Sequence, residues 1–202
     1  VAQKDNWYLE ILLGLFCGLR KGEIIGLKFS DFNTESKTVK ITRQLVANPV
    51  INSNTGSSVD NYELVERDPK TPNSVRILKL PDVIMTELES RRCLIELYKK
   101  KMGEKYNDHD YISCQKNGNP HSLAAMNISL KKLCTRNGIP SITVHGLRHM
   151  YATILIENGV SLAKISGLLG HSSIHTTFEY YCDVMEEFSN INAFMNNTFI
   201  PE

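Results

Sequence analysis

Residues 143–181, TVHGLRHMYATILIENGVSLAKISGLLGHSSIHTTFEYY, constrain this chain more than any other stretch. Gly159 and Gly170 cut its apolar periodicity into helices over 145–158 and 161–169, with a shorter one from about 173. The same stretch gathers His145, Arg148, His149, His171, His175 and the pair Tyr180 and Tyr181. An apolar core has little use for such side chains. They suit a site that grips an anion and attacks it.

His145 and Arg148 stand three residues apart at a helix start, so they share a face. A helix N-terminus carries its own partial positive charge, and a guanidinium fork matches two phosphate oxygens. The pair alone fits equally well a buried arginine tied to carbonyls beside a capping histidine. His149 lies one turn beyond His145, a spacing that could hold zinc. The residue after His145 is Gly146, so the H-E-x-x-H pattern is missing, and His149 is expected to be a hydrogen-bonded structural residue. His171 follows a Leu-Leu-Gly turn, and His175 reads as surface. A tyrosine phenol is a competent nucleophile toward a phosphodiester once its developing charge is stabilised. Tyr180 and Tyr181 are the nearby candidates.

Upstream, 6–18 is apolar at helical spacing and stops at Gly18, and Leu19–Leu27 reads as a second short helix with Arg20 and Glu23 on one face. Residues 38–46, TVKITRQLV, alternate like a strand. Residues 47–61 read as an exposed loop or hairpin tip. ELVERDP and SVRILKL read as two further strands joined by a PKTPN turn, giving a three-stranded sheet over about 38–80. That hairpin, RDPKTPNSVRILK, is the most basic stretch of the chain and carries Lys70. Pro81 opens a long helix over 82–102, and Ser122–Asn137 is another, stopped by Gly138. The tail, 183–199, alternates acidic and apolar residues like a helix with one apolar face. The fold class is mainly α with a small antiparallel β-sheet (α+β). A catalytic domain is expected over 1–182 and a tail helix over 183–202.

Composition narrows the class. At 202 residues the chain is long enough to bury a sizeable core. Its formal net charge is only +1, so any nucleic-acid surface must be local. Five cysteines, Cys17, Cys93, Cys114, Cys134 and Cys182, are scattered without a C-x-x-C pair, which points to reduced thiols in a cytoplasm. The most apolar run, Ile11–Leu19, is too short to span a bilayer, and the start of the chain has no signal-peptide pattern. The chain begins at Val1, so a piece of a longer protein is expected.

Taken together, GLRKGEIIGL, PKTPNSVRILKLP, HGLRHMYAT and LLGHSSIHTT with a following tyrosine resemble the catalytic domain of the tyrosine recombinases, the phage-integrase family. The motifs keep the family's order and cover Gly18 to Asp183. The resemblance implies that Arg20 and Arg148 clamp the scissile phosphate, with Glu23 supporting Arg20. His145 is the histidine of H-x-x-R, His171 that of L-G-H, and Lys70 the hairpin lysine that protonates the leaving oxygen. Tyr181 is the implied nucleophile and Tyr180 the alternative, because Tyr181-Cys182-Asp183-Val184 keeps the Y-x-H-V frame with Asp for His. The loop before Lys70 is longer than in compact members, and a piece cut to the catalytic half, without the family's separate N-terminal DNA-clamping domain, is expected.

The resemblance further implies strand cleavage and rejoining through a 3′-phosphotyrosine, for integration or excision of a mobile element, with no metal or other cofactor. It implies double-stranded DNA as partner, assembly on DNA as dimer to tetramer through the tail, an accessory excision factor, no membrane, and a bacterial or phage-encoded, nucleoid-associated protein. Arg43, Arg67, Arg76 and Lys79 are the charge-based expectations for DNA-backbone contact. Type IB topoisomerase chemistry and a DNA-binding protein with a decayed site are the alternatives.

Overall fold

The computed structural model describes residues 2–51, 59–69 and 74–179. Helix α1 (Tyr8–Cys17) runs through the middle of the core: Leu9, Ile11, Leu12, Leu13 and Cys17 are all buried, so most of its surface is covered. Each such leucine contributes about 1.5–3 kcal/mol by leaving water. The helix ends at Gly18, which takes the left-handed conformation. Helix α2 (Lys21–Gly26) starts two residues later than its apolar pattern predicts. Arg20 is its N-cap, and the Glu23 carboxylate accepts the Arg20 backbone N–H at 2.9 Å, one half of a capping box.

Strands β1 (Phe32–Asn33), β2 (Thr38–Ile41), β3 (Gln44–Ile51), β4 (Val59–Arg67) and β5 (Arg76–Lys79) follow. They do not form the single three-stranded sheet expected over 38–80. The first sheet has the antiparallel order β1-β2-β5, with Val39 opposite Leu78 and Ile41 opposite Arg76. The second is the β3–β4 hairpin, with Gln44 opposite Arg67 and Val46 opposite Val65. The strand predicted over 38–46 is therefore two strands, and the segments ELVERDP and SVRILKL do not pair with each other.

Packing on α2 explains the break. Val39 and Ile41 face the core under the first sheet, whereas Leu45 is buried where β3 crosses α2. The β3 backbone runs so close there that a Cβ on Gly22 would stand 2.6 Å from the Leu45 carbonyl oxygen. At the break, Arg43 is paired with Asp31 and, at 3.2 Å, with Glu66. The chain leaves one sheet to lie against a glycine-faced helix, and a period-2 pattern carries no sign of that change.

Helices α3 (Asp82–Met102), α4 (Leu123–Arg136), α5 (Val144–Glu157) and α6 (Leu162–Leu169) complete the frame, with a further helical stretch over 174–179. The side chains of Ser122 and Thr143 cap α4 and α5 by accepting the N–H of Ala125 and Gly146. One core joins α1 to α5 and the first sheet, and a smaller cluster of Ala152, Ile165 and Leu169 seats α6 on α5. Among the described residues no helix is long and apolar enough to cross a membrane. Cys17, Cys114 and Cys134 are buried and Cys93 is exposed, all four as free thiols. The expected tail helix over 183–202, with Cys182, lies outside the described residues.

Candidate active site

Arg148 reaches the site from α5. It is 4% exposed, donating from Nη1 to the Gly18 carbonyl at 2.6 Å and from Nη2 to the Leu169 carbonyl at 2.8 Å. Those acceptors are the ends of α1 and α6, so the guanidinium stitches three helices together and its plane is set by the fold. One turn before it, His145 shares with it a cleft of about 490 Å³. Arg20, Lys21, Gly22, Asn127 and Thr143 also line this cleft. Helix α5 therefore puts both residues of HGLR where Arg20 arrives from the start of α2.

Arg20 is oriented from behind. Its Nη1 donates to Glu23 Oε1 at 2.9 Å and its Nη2 to the Gly170 carbonyl at 3.1 Å, while its side chain stays 36% exposed. It also borders a second hollow of about 270 Å³ with Arg43, Gln44, Pro69, Ser74, Gly170 and Ser172. Arg20 thus stands between two hollows.

His171 belongs to the same group. Helix α6 ends at Gly170 in the left-handed conformation, and the His171 N–H returns to the Ser166 carbonyl, as in a Schellman closure. The imidazole is 8% exposed, and its Nδ1 lies 2.8 Å from the Thr177 hydroxyl. Burial first, then the positive charges of Arg148, Arg20 and Arg76, push its pKa down to about 4. His145 is also pushed below its ordinary value, by burial and then by Arg148 and Arg20. Both imidazoles are neutral at pH 7.

Glu23 is 4% exposed and holds two arginines. Burial works to raise its pKa, but hydrogen bonds and charge from Arg76 and Arg20 outweigh it and keep the carboxylate ionised. Arg76 was expected on the DNA face, and the structure corrects this. Its side chain is 6% exposed and donates to both Glu23 oxygens (3.1 and 2.9 Å), to the Leu168 carbonyl (2.7 Å) and to the Ser74 carbonyl (3.0 Å). The alternation of β5 turns Arg76 inward with Leu78 and leaves Ile77 and Lys79 outside. The phase of Leu78 and Leu80 could have revealed this, had Val75 and Ile77 not supplied an equally apolar opposite face.

Of the other basic residues, Arg67 is exposed and donates to Asn48 at 2.7 Å, and Lys79 is exposed on β5. Arg43 is partly buried by its acidic partners. His149 packs edge-on against His145, with ring centroids 4.3 Å apart, and His175 sits exposed on the helical stretch after His171. Among the described residues no group of three or more His, Cys, Asp or Glu side chains could hold a metal ion. Lys70, Tyr180 and Tyr181 lie outside the described residues. Both neighbours of the 70–73 segment, Pro69 and Ser74, line the second hollow beside Arg20.

Comparison with known proteins identifies the family and the fold. Residues 3–187 match the phage integrase family. A tyrosine recombinase XerC-like protein of Caldanaerobacter subterraneus is 34% identical over 193 residues, covering 94% of this chain and 49% of the relative. The transposase from transposon Tn916 of Enterococcus faecalis is 27% identical over 180 residues, covering 86% of this chain and 41% of its own length. The chain thus spans about half the length of the curated relatives it matches, or less. Among solved structures, the Tn1549 transposon integrase in complex with a circular intermediate DNA superposes with a TM-score of 0.67 at 20% identity, over 89% of this chain and 56% of that one. XerA recombinase gives 0.65 at 20% identity, over 100% of this chain and 60% of that one. At such identities the likeness is one of fold.

Proposed function

Because the chain belongs to the phage integrase family, the tyrosine recombinases, we propose that it is the catalytic part of a site-specific DNA recombinase. It cleaves and rejoins strands through a 3′-phosphotyrosine, to integrate or excise a mobile element. The observation that carries this reading is the convergence of Arg20, His145 and Arg148 on one cleft, with His171 close enough to feel both arginines.

The scissile phosphodiester brings one negative charge and gains more in the pentacoordinate transition state. Arg20 and Arg148 meet its non-bridging oxygens with donors already oriented by Glu23 and by helix-end carbonyls. His171 is neutral. Its Nδ1 is hydrogen-bonded to the Thr177 hydroxyl, and in the tautomer whose proton is on Nε2 that nitrogen donates one more hydrogen bond to the phosphate. Tyr181, with Tyr180 as the alternative, attacks phosphorus. His145, held neutral, accepts the phenolic proton, and Lys70 gives a proton to the departing 5′ oxygen. The phosphotyrosine conserves the bond energy, so the 5′ hydroxyl of a second strand can attack it and reseal DNA. The cluster is cationic, so it supplies by itself the charge stabilisation that a divalent ion supplies elsewhere.

Double-stranded DNA is the partner in this reading. Arg67 and Lys79 on the exposed strand faces, and Arg43 at the second hollow, contact its backbone, so affinity falls with added salt. Protomers assemble on DNA as dimers to tetramers through residues 183–202, and an accessory excision factor sets direction. The test is covalent trapping on a nicked suicide DNA, read on a denaturing gel and mapped by mass spectrometry. Wild type and Tyr180→Phe form the adduct and Tyr181→Phe does not. An adduct that survives when both tyrosines are phenylalanine refutes the nucleophile, and no adduct from wild type refutes the reading.

A further inference from the structure

Arg76 is a buried cation of the site with four hydrogen bonds of its own, and the reaction as described above does not use it. Its four hydrogen bonds reach three separate pieces of chain: Glu23 on α2, the Leu168 carbonyl in the last turn of α6, and the Ser74 carbonyl just after the segment that carries Lys70. Each piece also bears a group assigned to the phosphate. Glu23 orients Arg20, the α6 turn leads into His171, and Ser74 closes the Lys70 segment. The turn is shaped around this arginine. A Cβ on Gly170 would lie 2.9 Å from Arg76 Nη1 and 3.2 Å from the Ser74 Cα, and Gly170 also has a positive φ. The Gly170 carbonyl then accepts from Arg20. Arg20 and Arg76 therefore share both a carboxylate and a turn.

We propose that Arg76 is a positioning residue for strand cleavage. It fixes the Glu23 carboxylate and the Leu168–Gly170 turn together, so that Arg20 and His171 meet the phosphate in one geometry. The inference rests on the recombinase reading of the site. A lysine cannot replace Arg76, because one ammonium cannot span both carboxylate oxygens and the Leu168 carbonyl in the plane that a guanidinium offers. Since an ångström of misplacement in a prearranged site costs about 100-fold in rate, the effect belongs in the chemical step and not in DNA affinity.

The experiment uses the full chain on the nicked suicide DNA, with single-turnover cleavage at saturating DNA, DNA affinity and melting temperature measured together. Arg76→Lys is expected to cleave about 100-fold more slowly, with DNA affinity within about 3-fold of wild type. On an Arg20→Ala background the same change is expected to cost about 10-fold and not about 100-fold, because the share that acts through Arg20 is already lost while the share through His171 remains. If Arg76→Lys fails to fold, Glu23→Gln/Arg76→Gln removes both buried charges at once, and it should fold and still cleave slowly. Cleavage near the wild-type rate by Arg76→Lys or by the double variant overturns the proposal. So does a defect that multiplies with that of Arg20→Ala. Absence of cleavage by wild type would instead overturn the recombinase reading.

Discussion

Among the described residues two buried carboxylates, Glu10 and Glu23, are each gripped by arginine, and their charge balance differs. Glu10, 1% exposed on α1, takes both terminal nitrogens of Arg91 from α3, at 2.7 and 3.0 Å. The same guanidinium also donates to the carbonyls of Ile112 and Asn6. One negative charge meets one positive charge, and the pair joins helix to helix. Glu23 instead meets two arginines, Arg20 and Arg76, which leaves one positive charge over. The surplus sits on Arg20, the more exposed of the two, at the wall of a cleft that Arg148 also lines. A balanced buried pair is a structural joint. A carboxylate outnumbered by oriented arginines is a place prepared for an anion.

That contrast can be broken from either side. The largest effect is expected at the balanced pair: Arg91→Ala strands the Glu10 carboxylate in the core and should cost about 3–5 kcal/mol in urea unfolding. Replacing Glu10 by Leu and Arg91 by Met together should cost less than the single change. If it costs more, the pair holds the helices by more than mutual neutralisation.

Next in size is Arg20→Ala. It should lower single-turnover cleavage about 100- to 1,000-fold, the cost of a lost oriented donor. Its stability cost should stay below that of Arg91→Ala, because Arg76 remains on the Glu23 carboxylate. A stability loss comparable to that of Arg91→Ala would erase the distinction between the two clusters.

The smallest effect is in pH. Burial, and after it the positive charges of Arg148, Arg20 and Arg76, make His171 refuse a proton in the native state until about pH 4, whereas the unfolded chain takes it up near its ordinary value of about 6.5. The unfolded state binds more protons in that window, so stability is complete above about 6.5 and falls as pH drops toward 4, by up to about 3 kcal/mol. His171→Gln should flatten this part of the curve in urea titrations at pH 7 and pH 4. An unchanged slope would mean that other groups carry the acid sensitivity.

Much of the helical frame was legible in the residues. Apolar spacing, Ser122 and Thr143 as caps, and Gly18, Gly138 and Gly170 as stops place the helices within a residue or two, because those signals are local. The strands were not legible to the same degree. Nothing between Thr38 and Val46 says that the chain must leave one sheet and lie on Gly22, since that contact is made with a helix some twenty residues upstream. Arg76 failed for a related reason. In SVRILKL both faces of the strand are apolar enough to point inward, and only the presence of Glu23 beneath one face makes the arginine's burial affordable.

By itself, then, the sequence determined which charged side chains stand at helix ends. Arg20, the HGLR pair and the LGH turn each sit at a helix end whose position local signals define. Tertiary structure decided which basic residues look outward and which hold the site together. Charge type is written in the residue, but whether a charge faces water or a buried carboxylate depends on what the rest of the chain packs against it.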